Sequence, residues 1–314
     1  MGVVSAGRAV IDSSTATGGH LRPETIDALE SFRAEILDGT TVVDPTPSEL
    51  PPPQRPFLLD LATGGRTPLP DGLIGGIDYW VSPDESRIAF GKCCSDDDAI
   101  TVADIDGSDA RALRPPGGNN QYAAAWSSDG TRLEYQEHDG AASSKLFVED
   151  LATGEKSQIL DVHLTDDSWW RLAPSFSPNG QQVIYQRQRA SSVNEGFDVW
   201  SVSVAGRTPR LVVPDATSPM YFPDGGTIAV VDPAPSDVYG LGISIVAADG
   251  SRRGLVTAEE AVWTPSLSPD DKRIAYVGGS SIRIVDVATG ESTVVADGLA
   301  VEWLGDDRLV IVPG

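Results

Sequence analysis

The sequence predicts an all-β protein, a six-bladed β-propeller of four-stranded antiparallel blades with a short N-terminal helical arm. Three observations carry this: a turn-centred motif recurs with a period in the forties, a second hairpin signature follows each copy, and the two ends of the chain supply complementary halves of one further unit.

The motif reads "VSPDESRIAF" from 81, "WSSDGTRLEY" from 126, "FSPNGQQVIY" from 176, "YFPDGGTIAV" from 221 and "LSPDDKRIAY" from 267. Its second residue falls at 82, 127, 177, 222 and 268, giving spacings of 45, 50, 45 and 46. Repeats of that length are supersecondary units that bury their apolar faces only by packing against their neighbours. Ser and Asp side chains in the turn accept bonds from backbone N–H groups, Pro presets φ, and Gly takes the positive-φ position. The chemistry of the motif is turn chemistry.

A second signature follows each turn: "ITVADIDGSDARAL" from 100, "LFVEDLATGEKSQIL" from 146, "VWSVSVAGRTPRLV" from 199, "ISIVAADGSRRGLV" from 243 and "IRIVDVATGESTVV" from 282. Two β-rich runs around a Gly-containing turn make a hairpin. Each repeat therefore holds strands A to D, which is the content of a propeller blade.

The ends complete the count. "VEWLGDDRLVIVPG" from 301 supplies an A strand, a turn and a B strand, and "FLLDLATGGRTPLP" from 57 matches the C–D hairpin. Pairing them makes a sixth, composite blade that closes the ring and removes exposed sheet edges.

These residues resemble the TolB-like, or WD40-like PD40, propeller repeats: strand, "W-S-P-D-G", strand, then a "D-x-x-T-G" hairpin. The resemblance spans about residues 57 to 314. It implies a six-bladed ring around an axial channel, commonly used to bind proteins or peptides and sometimes set beside a peptidase domain. Here there is no Gly-x-Ser-x-Gly nucleophile elbow and no room for a hydrolase domain, so a peptidase role does not carry over.

The expected domains are an arm, 1–55, and the propeller, 56–314. Within the arm, "RPETIDALESFRAEIL" places Leu29, Phe32, Ile36 and Leu37 at near-helical spacing after an acidic start. A Pro-rich connector, "DPTPSELPPPQRP", follows, and such composition is extended and semi-rigid.

Composition narrows the partners. A net charge of −23 argues against a phosphate-binding surface, which needs clustered Lys and Arg, so no nucleic-acid partner is expected. Cationic partners or metal ions fit better. No apolar run reaches the roughly 18 residues of a membrane span. As written the chain reads as cytoplasmic, and as periplasmic or extracellular if a leader has been removed. The only cysteines, Cys93 and Cys94, are adjacent. Neighbouring Cα atoms about 3.8 Å apart make a vicinal bridge strained, so two free thiols are expected.

Strand alternation puts the A–B and C–D turns on one face and the B–C loops and D–A crossings on the other. The second face carries the long, irregular loops, where function concentrates on a rigid scaffold. Candidates there are Asp96, Asp97 and Asp98 in "SDDDA", His138 in "QEHDG", and His163, Asp166, Asp167, Trp169, Trp170 and Arg171 in "DVHLTDDSWWRL". Arg187, Arg189, Tyr239, Glu259, Glu260 and Trp263 complete the mouth.

An exposed "SWWR" would be an effective binding hot spot, while the same tryptophans would serve equally to cover the core at the crossing. "SDDDA" lacks the alternating carboxylates and terminal Glu of an EF-hand loop. His138 and His163 fall short of the three protein ligands of a catalytic zinc site unless a carboxylate completes the set.

The reading is a monomeric, non-enzymatic propeller that needs no cofactor and binds a protein or peptide at the loop-rich face and axial channel. The alternative is a stand-alone propeller enzyme, a metal-dependent lyase or hydrolase, with a divalent cation at the channel mouth. No catalytic residue is assigned.

Overall fold

The computed structural model describes residues 55–91, 99–114, 118–138, 143–163, 172–189, 196–205, 208–233 and 240–314. The predicted arm helix and both cysteines lie outside these residues. Among the described residues there is no α-helix, only a 3-10 turn at Asp71–Leu73. No helix is long and apolar enough to cross a membrane among them.

The two ends pair as the sequence predicts. β1 (Phe57–Asp60) and β2 (Arg66–Pro68) join β22 (Ala300–Leu304) and β23 (Arg308–Val312) in the order β2-β1-β23-β22, with Phe57 opposite Ile311 and Asp60 opposite Arg308.

Three further four-stranded sheets follow in chain order. The first holds β3 (Asp78–Val81), β4 (Arg87–Gly91), β5 (Ile100–Asp104) and β6 (Arg111–Ala112). The second holds β7 (Asn120–Trp126), β8 (Arg132–His138), β9 (Ser143–Asp150) and β10 (Lys156–His163). The third holds β11 (Ser175–Phe176), β12 (Gln182–Gln188), β13 (Phe197–Ser203) and β14 (Arg210–Val213).

The next two repeats are merged into one seven-stranded sheet: β15 (Thr217–Tyr221), β16 (Ile228–Pro233), β17 (Gly240–Val246), β18 (Arg252–Leu267), β19 (Arg273–Gly278), β20 (Ser281–Asp286) and β21 (Ser292–Asp297). β18 serves twice. Its first half pairs with β17 as a D strand, and its second half pairs with β19 as an A strand. A D–A crossing expected to be irregular is here continuous strand.

The A strands neighbour one another in a closed cycle, β3 to β7, β11, β15, β18, β22 and back to β3. Apolar layers fill the spaces between successive sheets. Ala89, Ile100 and Val102 of the first sheet pack against Ala124, Trp126, Leu133 and Tyr135 of the second, with period-2 alternation choosing which side chains face which neighbour.

The turns between A and B strands are held by the Ser and Asp of the motif. Ser82 Oγ accepts the Arg87 N–H (2.9 Å) and donates to Asp84 Oδ1 (2.6 Å), and Ser127 and Ser268 repeat this with Asp129 and Asp270. Hydrogen bonds from Ser82 and Ser86 hold the Asp84 carboxyl down at about 2, and those from Ser127 and Thr131 do the same for Asp129. Gly130 and Gly225 take the left-handed position at φ 68° and 69°, whereas Glu85 and Asp271 reach φ 58° and 54° with a Cβ in place.

Where the residue that opens the B strand is arginine, it bolts its sheet to the next. Arg87 lies 5.0 Å from the Trp126 ring centroid and donates to the Gly130 carbonyl. Arg132 repeats this on Phe176 and Gly180, and Arg273 on Trp303 and Asp306. Arg308 returns to the first sheet through Glu85 (3.3 Å), across the closing joint. At the third and fourth repeats the position is Gln182 and Thr227, which lack the guanidinium.

Candidate functional site

The end of the ring opposite the turns is built by the residues that start the A strands. Ile77, Tyr122, Leu172, Thr217, Trp263 and Leu299 each stand five residues before the turn-initiating position of their repeat. They do not share one environment. Leu172 and Thr217 are each 3% exposed, while Ile77 is 39% and Leu299 52% exposed. Trp263 is half-buried, and its Nε1 donates to the Leu299 carbonyl (3.2 Å). The mouth therefore carries an apolar arc on one side, formed by A strands that are consecutive in the cycle.

One residue further on, Ala173, Ser218 and Thr264 adopt left-handed φ values of 42°, 46° and 45°, each just before a proline. Pre-proline residues ordinarily sit in the β region, so these positions store backbone strain. They bulge β15 and β18 and set the angle at which those strands leave the mouth.

The predicted histidines fall on strands rather than in adjacent loops, because β8 and β10 run longer than the turn signals suggested. In the second sheet His138 pairs with Asn120 and Ser144, and His163 pairs with Ser143. Both therefore reach the same end of one sheet, separated by β9, and the side chain of His163 lies outside the described residues. Among the described residues no group of three His, Cys, Asp or Glu side chains could hold a metal ion.

Arg187 is exposed on β12, its guanidinium 5.3 Å from the Trp200 ring centroid. Arg189 pairs with Asp198 (2.9 Å) and with Asp215, an internal network rather than a free cation. Glu259 and Glu260 lie in β18, with side chains outside the described residues. Asp96, Asp97, Asp98, Asp166, Asp167, Trp169, Trp170, Arg171 and Tyr239 also lie outside them.

Sequence reasoning missed the polar interior of the second sheet. Glu134, Gln136 and His138 alternate along β8 toward the third sheet. Gln136 donates to Ser144 Oγ (2.9 Å) and accepts the Leu172 N–H (2.8 Å). Glu134 is fully buried with no hydrogen-bond partner on either oxygen, and burial raises its carboxyl well above the ordinary range. The corresponding residues of the other repeats, Ala89, Ile184, Ala229, Ala275 and Val310, are apolar, so aligning the repeats would have exposed Glu134. On the opposite side of the sheet, Tyr135 donates to Glu149 (2.6 Å) and Gln121 to Glu137 (3.1 Å).

Glu302 stands at the closing joint. Burial raises its carboxyl to about 7, opposed by hydrogen bonds from Ser266 and from the Val81 backbone, with Asp78 adding to the rise. The same repeat position holds Ser175 and Ser266, whose hydroxyls accept the Tyr221 and Trp303 N–H groups of the following A strand.

Solved structures share this architecture. A putative TolB from Agrobacterium tumefaciens superposes with a TM-score of 0.64 at 14% identity, over 83% of this chain and 99% of that one. The fold is a TolB-like β-propeller. TolB from Acinetobacter baumannii matches with a TM-score of 0.59 at 20% identity, over 76% of this chain, which spans 58% of that longer protein. An oligogalacturonate lyase in complex with manganese matches at 0.51 and 18% identity, over 77% of this chain and 72% of that one. No family profile matches the sequence, and no curated protein matches it. The propeller architecture is thus shared by TolB proteins and by an enzyme.

Proposed function

We propose that this TolB-like propeller is a six-bladed, non-enzymatic binding module that engages a protein or peptide at the loop-rich face and axial channel. The observation that carries the reading is the contrast between the two ends. On the turn face, Ser, Asp and Arg side chains are consumed by turn bonds and by the bolts between sheets. At the other end, Ile77 and Leu299 leave exposed apolar surface at the mouth, with the half-buried Trp263 hydrogen-bonded to the Leu299 backbone, as binding sites on rigid scaffolds do. The module works as a monomer, and the negative net charge favours a partner without nucleic acid.

The test is capture on the immobilised full chain. A partner retained by the wild type is lost with Ile77→Ser or Leu299→Ser and kept with Lys272→Glu on the turn face. Loss with Lys272→Glu alone contradicts the reading.

A second reading, a metal-dependent lyase or hydrolase, is favoured by one observation: His138 and His163 reach the same end of one sheet, in a fold shared with a lyase solved with manganese. Metal analysis together with melts in chelator decides between the two. A stoichiometric metal whose removal lowers the melting temperature moves the enzyme reading ahead.

A further inference from the structure

The mouth is chemically lopsided, and that asymmetry specifies what it can hold. The exposed Ile77 and Leu299 lead into β3 and β22, and the half-buried Trp263 lies in β18, three A strands that are consecutive in the cycle. The Trp263 to Leu299 hydrogen bond ties two of them together, with the indole edge fixed on the Leu299 backbone and the half-buried ring backed by the core cluster around Val277, Ile282 and Trp303. A fixed indole loses little side-chain freedom on binding, which is why such rings anchor interfaces.

An acidic residue borders this surface: the exposed Asp297 precedes Leu299 by two residues at the end of β21. The whole chain carries a net charge of −23, so the field around the mouth also draws cations. Apolar contact bordered by a carboxylate is complementary to an apolar side chain flanked by Lys or Arg.

We propose that the arc of Ile77, Trp263 and Leu299, bordered by the exposed Asp297, docks a basic peptide segment that seats a large apolar side chain against the arc. This rests on the binding-module reading and adds to it the chemistry of the partner. The apolar side chain supplies contact area, and the flanking cations set orientation and speed the encounter.

The experiment is a selection from a random peptide library displayed on phage, with the full chain immobilised. Synthetic copies of the winners are then titrated by fluorescence anisotropy at low and at high salt. The expected winners combine Trp, Phe, Leu or Ile with Lys or Arg and weaken as salt rises. Leu299→Ser and Ile77→Ser each weaken them about tenfold, and Asp297→Asn reduces the salt dependence. Unchanged melting temperatures for these exposed substitutions separate lost binding from lost fold.

Neutral or acidic winners that still weaken with Leu299→Ser overturn the basic-peptide chemistry and leave the binding-module reading standing. Winners insensitive to Leu299→Ser and Ile77→Ser but lost with Lys272→Glu overturn both, as does a selection that enriches nothing.

Discussion

Replacing Glu134 with alanine, the residue present at the same repeat position as Ala89, Ala229 and Ala275, should flatten the dependence of stability on pH. In the folded chain both carboxylate oxygens are buried without partners and the carboxyl is held well above its ordinary 4.5. The folded state therefore keeps a proton that the unfolded state releases once the pH passes the unfolded value. Stability is full below that value and falls as pH rises toward the folded one. One retained proton costs about 1.4 kcal/mol per pH unit in that window, or roughly 2–5 °C of melting temperature per unit for a ring of this size. Melts followed by circular dichroism at half-unit steps from pH 4.5 to 8 measure the slope. Glu134→Ala should lose ground to the wild type at low pH, where it only leaves a cavity, and gain on it as pH rises. Parallel profiles for the two proteins would refute a buried protonated carboxyl at this position.

Three other outcomes follow from the same geometry. Glu302→Gln should remove a further decline of about 3 kcal/mol spread between pH 4.5 and 7, where the folded carboxyl keeps its proton, and the double variant with Glu134→Ala should be nearly flat when melted across that range. Arg87→Ala removes a guanidinium from the Trp126 ring and from the Gly130 carbonyl, and should cost about 1–2 kcal/mol in urea unfolding. Asp271→Gly relieves a left-handed residue at φ 54° and should raise stability by about 0.5–1 kcal/mol in the same assay, despite shortening an exposed side chain.

The turns and the closure were legible because their chemistry is local. Ser82, Asp84 and their equivalents bond within a few residues, and the C–D hairpin at 57–68 matches its counterpart at 282–296 closely enough to announce its partner. The bolts between sheets were not, since Arg87 acts on Trp126 and Gly130, some forty residues away, and nothing local distinguishes a bolt from a solvated arginine.

The mouth was half legible. Trp263 was identified as a candidate, but Ile77 and Leu299 look like ordinary strand-leading residues, and only the packing shows that they are exposed while Leu172 and Thr217 at the same repeat position are covered. The left-handed Ala173, Ser218 and Thr264 run against the pre-proline preference, so local rules point the wrong way there. Glu134 was hidden for a different reason: in "TRLEYQEH" it reads as one more charge in a strand, and its meaning comes from the apolar residues that other repeats place there.

Hydrogen exchange of the full chain with and without a peptide selected on it tests the central claim most directly. The account predicts slowed exchange at the mouth, around residues 77–79, 262–264 and 298–301, and unchanged exchange in the turns at 82–87, 127–132 and 268–273. Protection confined to those turns, or spread evenly around the ring, would contradict it.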